Sequence, residues 1–136
     1  RPNGSELTIW KSVELKEKYE KSQSVKFDEN IARNAGVIFC YKGNWIRPAQ
    51  ESNHVYGHSL SFQEVTFHDG KFSFKENYRF NTPHPVYDAG THTYNEYKGM
   101  AVIDAKGYRY KKMAKIMDLL DSILVKFGLK KAFVIQ

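Results

Sequence analysis

Two short stretches carry the side chains best suited to chemistry. Arg47, Gln50, Glu51, His54 and Tyr56 crowd together around Pro48 and ahead of Gly57. A forked cation, an amide, a carboxylate, an imidazole and a phenol form a set that can hold phosphates and hydroxyl groups. The second stretch has Asp88, His92, Thr93, Tyr94 and Asn95 around Gly90. A carboxylate beside an imidazole fixes its tautomer, so Asp88 and His92 are the expected pair for positioning or exchanging a proton. Arg33, with Asn34 just ahead of an apolar run, joins Arg47 as an expected ligand for an anionic group. Gln50, Tyr56 and Asn95 are the expected partners for hydroxyls. The plainer readings stand beside these: surface arginines, and a histidine hydrogen-bonded for structure alone.

The elements that must place these groups are mostly strands. The run Val37 to Tyr41 breaks at Lys42-Gly43-Asn44 and resumes at Trp45-Ile46, a tight hairpin with its turn at Gly43-Asn44. Residues 58–67 alternate, then slip at Glu64-Val65, where a β-bulge is expected. Asp69-Gly70 turns the chain into a strand carrying Phe72, Phe74, Tyr78 and Phe80, so residues 60–80 read as a long hairpin with an aromatic face. Prolines at 83 and 85 end it. Lys98-Gly99 is a further turn, before a last strand at Met100 to Asp104. Leu7, Ile9 and Trp10 mark a short first strand, whereas residues 12–24 read equally well as a solvated loop or as a short helix over 13–20 with Glu14-Lys18 and Glu17-Lys21 pairs. Past Gly107 the period changes. Met113, Ile116, Met117, Leu120, Ile123, Leu124 and Phe127 recur at helical spacing, with Gly128 placed as a cap, giving an amphipathic helix of about five turns. Its apolar stripe would pack on its own sheet, and its basic flank also suits an anionic membrane or a partner groove.

The totals bound the rest. A chain of 136 residues fits one domain, read as a β module over residues 1–109 and a helix with its tail over 110–136. The net charge of +6 favours acidic partners, although Lys111, Lys112, Lys115, Lys126, Lys130 and Lys131 concentrate much of it near the C-terminus. The single cysteine, Cys40, lies in an apolar run and reads as a packed core thiol in a reducing, cytoplasmic compartment. No apolar run approaches the roughly 18 residues needed to span a bilayer. The start at Arg1-Pro2 without an initiating Met raises the expectation of a piece excised from something longer.

Several classes lack support. The glycines stand singly, with no phosphate loop and no Gly-x-Ser-x-Gly elbow. His54 and His58 are not completed into a zinc set, so neither a metal nor a cofactor is implied. His68 and His84 fall in turns and read as solvated. The lysines of the helix do not interleave with aromatics, and nucleic acid is not an expected partner. Glycoside chemistry needs two carboxylates converging at about 5–10 Å. Glu51, Glu64, Asp88, Glu96 and Asp104 are available, with Glu64 and Asp104 expected on outer strand positions.

The segments Ala32-Arg33-Asn34-Ala35-Gly36 with Ile38-Phe39, Gly43-Asn44-Trp45-Ile46-Arg47-Pro48-Ala49-Gln50, Tyr56-Gly57 and Tyr87-Asp88-Ala89-Gly90-Thr91-His92-Thr93-Tyr94-Asn95, with Val102-Ile103-Asp104, resemble the C-terminal part of a five-bladed β-propeller family. This family stands at the N-terminus of plant glucosamine inositolphosphorylceramide transferases and occurs in bacterial proteins linked to surface glycans. Arg-Pro-Ala-Gln and Gly-x-His-Thr-x-Asn carry the likeness. The resemblance implies an all-β fold of propeller-like blades, akin to arabinanase and levansucrase propellers, and the helical period past Gly107 adds a closing C-terminal helix. It also implies that the Arg47 and His92 segments face a central channel. At about 45 residues per blade this length holds two to three blades, and the catalytic carboxylates of such hydrolases come mainly from earlier ones. The expected role is therefore glycosyl transfer or glycan recognition in glycolipid or surface-polysaccharide synthesis, with glycosyltransferase- or glycoside-hydrolase-like activity dependent on further blades. The expected partners are a glycan, sugar nucleotide or glycolipid. The alternative is a non-catalytic interaction module that uses the aromatic hairpin and the basic helix on protein or an anionic membrane.

Overall fold

The computed structural model describes residues 4–128, and the lysines at 130 and 131 lie outside that range. Its elements are β1 (Glu6–Lys11), β2 (Glu20–Lys26), β3 (Phe39–Tyr41), β4 (Asn44–Glu51), β5 (Ser59–His68), β6 (Lys71–Phe80), β7 (Tyr94–Tyr97), β8 (Met100–Ile103) and α1 (Lys111–Lys126). The architecture is antiparallel β with one helix. β3 to β6 form a four-stranded sheet in sequence order, while β1-β2 and β7-β8 are separate two-stranded pairs.

The turns explain the meander. Lys42 and Gly43 have φ of 50° and 84°, Asp69 and Gly70 have 49° and 74°, and Lys98 and Gly99 have 48° and 78°. Positive φ at both central residues is the primed turn that matches strand twist, and it needs a glycine at the second place. The first turn therefore centres on Lys42-Gly43, one residue earlier than expected, since Tyr41 pairs with Asn44.

Alternation along β4 and β5 gives the sheet two unlike faces. One carries Phe39, Ile46, Leu60, Phe62 and Tyr78, and Tyr94 of β7 closes on it: the Phe62 and Tyr94 rings stand 5.0 Å apart, edge to face. The other carries Arg47, Glu51, Ser59, Ser61 and Gln63, and it packs on residues 27–34. β2 reaches the free edge of β6. The Gln23 amide brackets Phe72, donating to its carbonyl at 2.7 Å and accepting from its N–H at 2.9 Å.

Three expectations change. Residues 13–17 form turns and not a helix, and β2 follows them as a largely exposed strand. Its sequence has no apolar alternation, so pairing with β1 and the Gln23 contact define it. The bulge falls opposite Phe62 and Gln63, where Asn77 is the extra residue of β6, and not at Glu64-Val65. Cys40 is exposed, because β3 is a short edge strand and the thiol shares the outward side of its hairpin with Trp45.

Candidate functional site

In an antiparallel meander every second connection lies at the same end. The β4–β5 loop (52–58) and the β6–β7 connection (81–93) therefore share one end of the sheet, and residues 27–36 join them there. Close backbone approach fixes this junction. A Cβ on Gly90 would stand 2.1 Å from the Gly57 carbonyl oxygen, and one on Gly57 would stand 2.8 Å from the Cβ of His92. Only glycine permits both contacts, since such separations lie far inside van der Waals distance.

Two histidine–carboxylate pairs meet at this junction. Glu51 ends β4 and is 2% exposed. Its carboxylate accepts from the Asn53 N–H at 2.7 Å and the Ser59 hydroxyl at 2.7 Å, and His58 Nδ1 lies 2.6 Å away. Burial pushes the Glu51 carboxyl upward, but the hydrogen bonds from Asn53, His58 and Ser59 together hold it below the usual range. An ionised carboxylate only accepts, so Nδ1 of His58 carries the proton and Nε2 is left for another partner. The ring is 44% exposed.

The second pair is His92 with Asp104. His92 Nδ1 stands 2.5 Å from Asp104 Oδ2, and the other carboxylate oxygen accepts from the backbone N–H groups of His92 at 2.9 Å and Thr93 at 2.7 Å. Four groups thus pin one side chain, with the Thr91 hydroxyl at 3.5 Å as the weakest. His92 is 37% exposed. The Tyr56 ring meets the His92 ring edge to face at 5.6 Å, and the guanidinium of Arg33 lies 5.3 Å over Tyr56. Lys106 donates to the Tyr56 carbonyl at 3.2 Å. The end of the sheet therefore presents two oriented imidazoles, a phenol and two cations.

The structure sorts the expected residues. Arg33, Tyr56 and His92 come together. Asp88 does not pair with His92; it is exposed and held at 2.9 Å by Lys111, whose hydrogen bond lowers the Asp88 carboxyl below the usual range. Asn95 is exposed on β7, with its Oδ1 beside Gly36. Gln50 is 7% exposed, and its Oε1 is buried without a hydrogen-bond partner among the described residues. Arg47 turns inward, away from any ligand-binding role at the surface. It is 1% exposed, with Nε on Asn34 Oδ1 at 2.7 Å, Nη1 on Gln63 Oε1 at 2.6 Å and Nη2 on the Ala32 carbonyl. Burial lowers its pKa to about 10, which still leaves it cationic at neutral pH.

His58 and Asp104 are the members that sequence reasoning missed. Asp104 was expected on the outer side of its strand, but it lies just past β8, where the chain leaves the hairpin and can turn its carboxylate onto His92. Among the described residues, no three His, Cys, Asp or Glu side chains converge as a metal set; the His54 and His58 rings meet edge to face at 6.0 Å. No family model, curated protein or solved structure matches the chain.

Proposed function

We propose that the chain is a propeller-type carbohydrate-active module that binds a glycan or sugar nucleotide at the end of the sheet formed by residues 52–58 and 81–93. The observation that carries the reading is the pair of carboxylate-oriented histidines beside Tyr56 and Arg33. Carbohydrate recognition needs fixed donors and acceptors for hydroxyls and an aromatic surface for the ring. A sugar nucleotide adds phosphates, for which Arg33 and Lys106 supply positive charge. His92 is the group best set to exchange a proton, because Asp104 and the Thr93 hydroxyl both lie at its Nδ1 and leave its Nε2 open.

Strand order supports the propeller part of the reading. A four-stranded meander is the unit of a blade. On this reading β3–β6 is one blade, β7-β8 the inner half of the next and β1-β2 the outer half of the one before. The two inner hairpins are alike in detail. Tyr41-Lys42-Gly43 and Tyr97-Lys98-Gly99 make the same turn. The Gln50 N–H donates to the Arg33 carbonyl, and the Lys106 N–H donates to the Gly90 carbonyl, each at 2.8 Å.

Calorimetry with UDP-N-acetylglucosamine and with N-acetylglucosamine oligomers tests the proposal. Saturable binding that weakens by roughly tenfold in His92→Ala and in Tyr56→Ala, about 1.4 kcal/mol each, is expected. Unchanged binding in both variants, or no binding of any of these probes by the parent chain, would refute it.

A further inference from the structure

We propose that α1 lies flat on an anionic lipid surface, with its apolar stripe in the headgroup boundary and its lysines at the phosphates. The stripe was expected to pack on the sheet, yet it stays uncovered: Met113, Ile116, Met117, Leu119, Leu120, Ile123 and Leu124 are 37–62% exposed, and Phe127, just past the helix, is 73% exposed. At 3.6 residues per turn these positions span an arc of about 160°. The helix carries four lysines against two aspartates. Lys115 and Lys126 border the Leu119 edge of the arc, and Lys112 falls inside it, between the directions of Leu119 and Ile123.

Lys112 decides between occupants. A protein surface closing over this face would enclose an ammonium group, and a second copy packed in parallel would bring lysine against lysine. At a lipid surface the Lys112 stem lies along the apolar face while its charge reaches an anionic headgroup. Tyr108 and Tyr110, also exposed, stand at the N-terminal end of the helix, where aromatic rings suit the headgroup level. No helix among the described residues is long and apolar enough to cross a membrane, so α1 would rest on the surface and not span it.

The root of α1 is tied to the body. Lys111 donates to the Pro85 carbonyl at 3.3 Å and to Asp88 at 2.9 Å. A Cβ on Gly107 would lie 2.8 Å from the Val86 carbonyl oxygen. The helix is thus rooted on the connection that carries His92, and lipid binding would hold the proposed sugar site near the membrane. The inference about lipid stands independently of the sugar reading.

The test is co-sedimentation of the full chain with phosphatidylcholine vesicles, with and without phosphatidylserine. The parent is expected to bind only the phosphatidylserine vesicles and to be released by salt. Leu120→Asp is expected to abolish binding. Lys112→Glu, Lys115→Glu and Lys126→Glu are expected to weaken it at least about fivefold each, since a lysine at an anionic surface is worth roughly that factor. Circular dichroism should show the fold intact, because all four side chains are exposed. Failure to bind anionic vesicles, binding indifferent to phosphatidylserine, or a dimer in sedimentation velocity that Leu120→Asp dissociates would each overturn the proposal. Sugar-nucleotide binding measured on the same variants should be unchanged, so failure of one proposal is distinguishable from failure of the other.

Discussion

Arg47 and His92 are both polar side chains with well-placed partners, and they differ in where those partners leave them. Each nitrogen of the Arg47 guanidinium finds a neutral acceptor inside the protein, and Gln63 passes the network on, donating to the Ile31 carbonyl at 3.0 Å and to Ser61 at 3.2 Å. This network fastens residues 31–34 to the sheet. His92 and His58 are satisfied on one side only. The Glu51 carboxylate bonds Nδ1 of His58, Nδ1 of His92 lies against Asp104 and bonds the Thr93 hydroxyl at 3.1 Å, and no partner holds Nε2 of either ring among the described residues. A polar group closed on all sides is scaffold, whereas one held from behind and open in front can act on a ligand.

The largest expected effect tests the scaffold half of this contrast. Arg47→Ala leaves Asn34, Gln63 and the Ala32 carbonyl short of a donor in a buried place, and a loss of about 3 kcal/mol or more in denaturant unfolding is expected. A loss below about 1 kcal/mol would mean that the network is dispensable. His92→Ala should reverse the pattern, with binding reduced roughly tenfold while stability falls by only about 1 kcal/mol.

Glu51 lies between the two cases, being buried itself but orienting an exposed ring. Its carboxyl is held below its ordinary value of 4.5, so its stabilising contribution is complete above that value and is lost as pH falls through the lower folded-state value. Glu51→Gln should therefore cost about 1–2 kcal/mol at neutral pH. The gap to the parent should close as the pH drops below about 4.5 in unfolding curves measured across acid pH. A gap of constant size would show that charge is not what Glu51 contributes. Asp88→Asn is the smallest change expected: its ion pair with Lys111 is exposed to solvent, so neither thermal unfolding nor sugar binding should move measurably.

The fold was legible where local chemistry decides it. Alternation marked β5, spaced aromatics marked β6, and glycine-bearing turns marked the three tight hairpins, whereas only Trp45-Ile46 of β4 read as strand and Arg47, Gln50 and Glu51, expected after it, lie within it. The helical period marked α1 and placed Gly128, whose φ of 71° suits a cap. Legibility failed where a distant partner decides. β2 has no apolar face of its own and exists through β1 and the Phe72 backbone. The site was half legible for the same reason. His92 stood out beside Asp88 in sequence, but Lys111 occupies Asp88, and the carboxylate that reaches His92 arrives from beyond β8. Gly57 and Gly90 read only as turn residues, although their contact brings the two histidine pairs together. Arg47 misled because residue type says nothing about direction: the pairing of β4 with β5 points it inward, opposite Gln63.

Proton NMR of the imidazole C–H signals of His58 and His92, followed while UDP-N-acetylglucosamine is added to the full chain, tests the contrast most directly. Both rings are expected to shift together and saturate at one affinity, while the guanidinium Nε–H signal of Arg47 stays still. Saturable shifts at Arg47 with the two histidines unmoved, or no shift at either histidine, would contradict it.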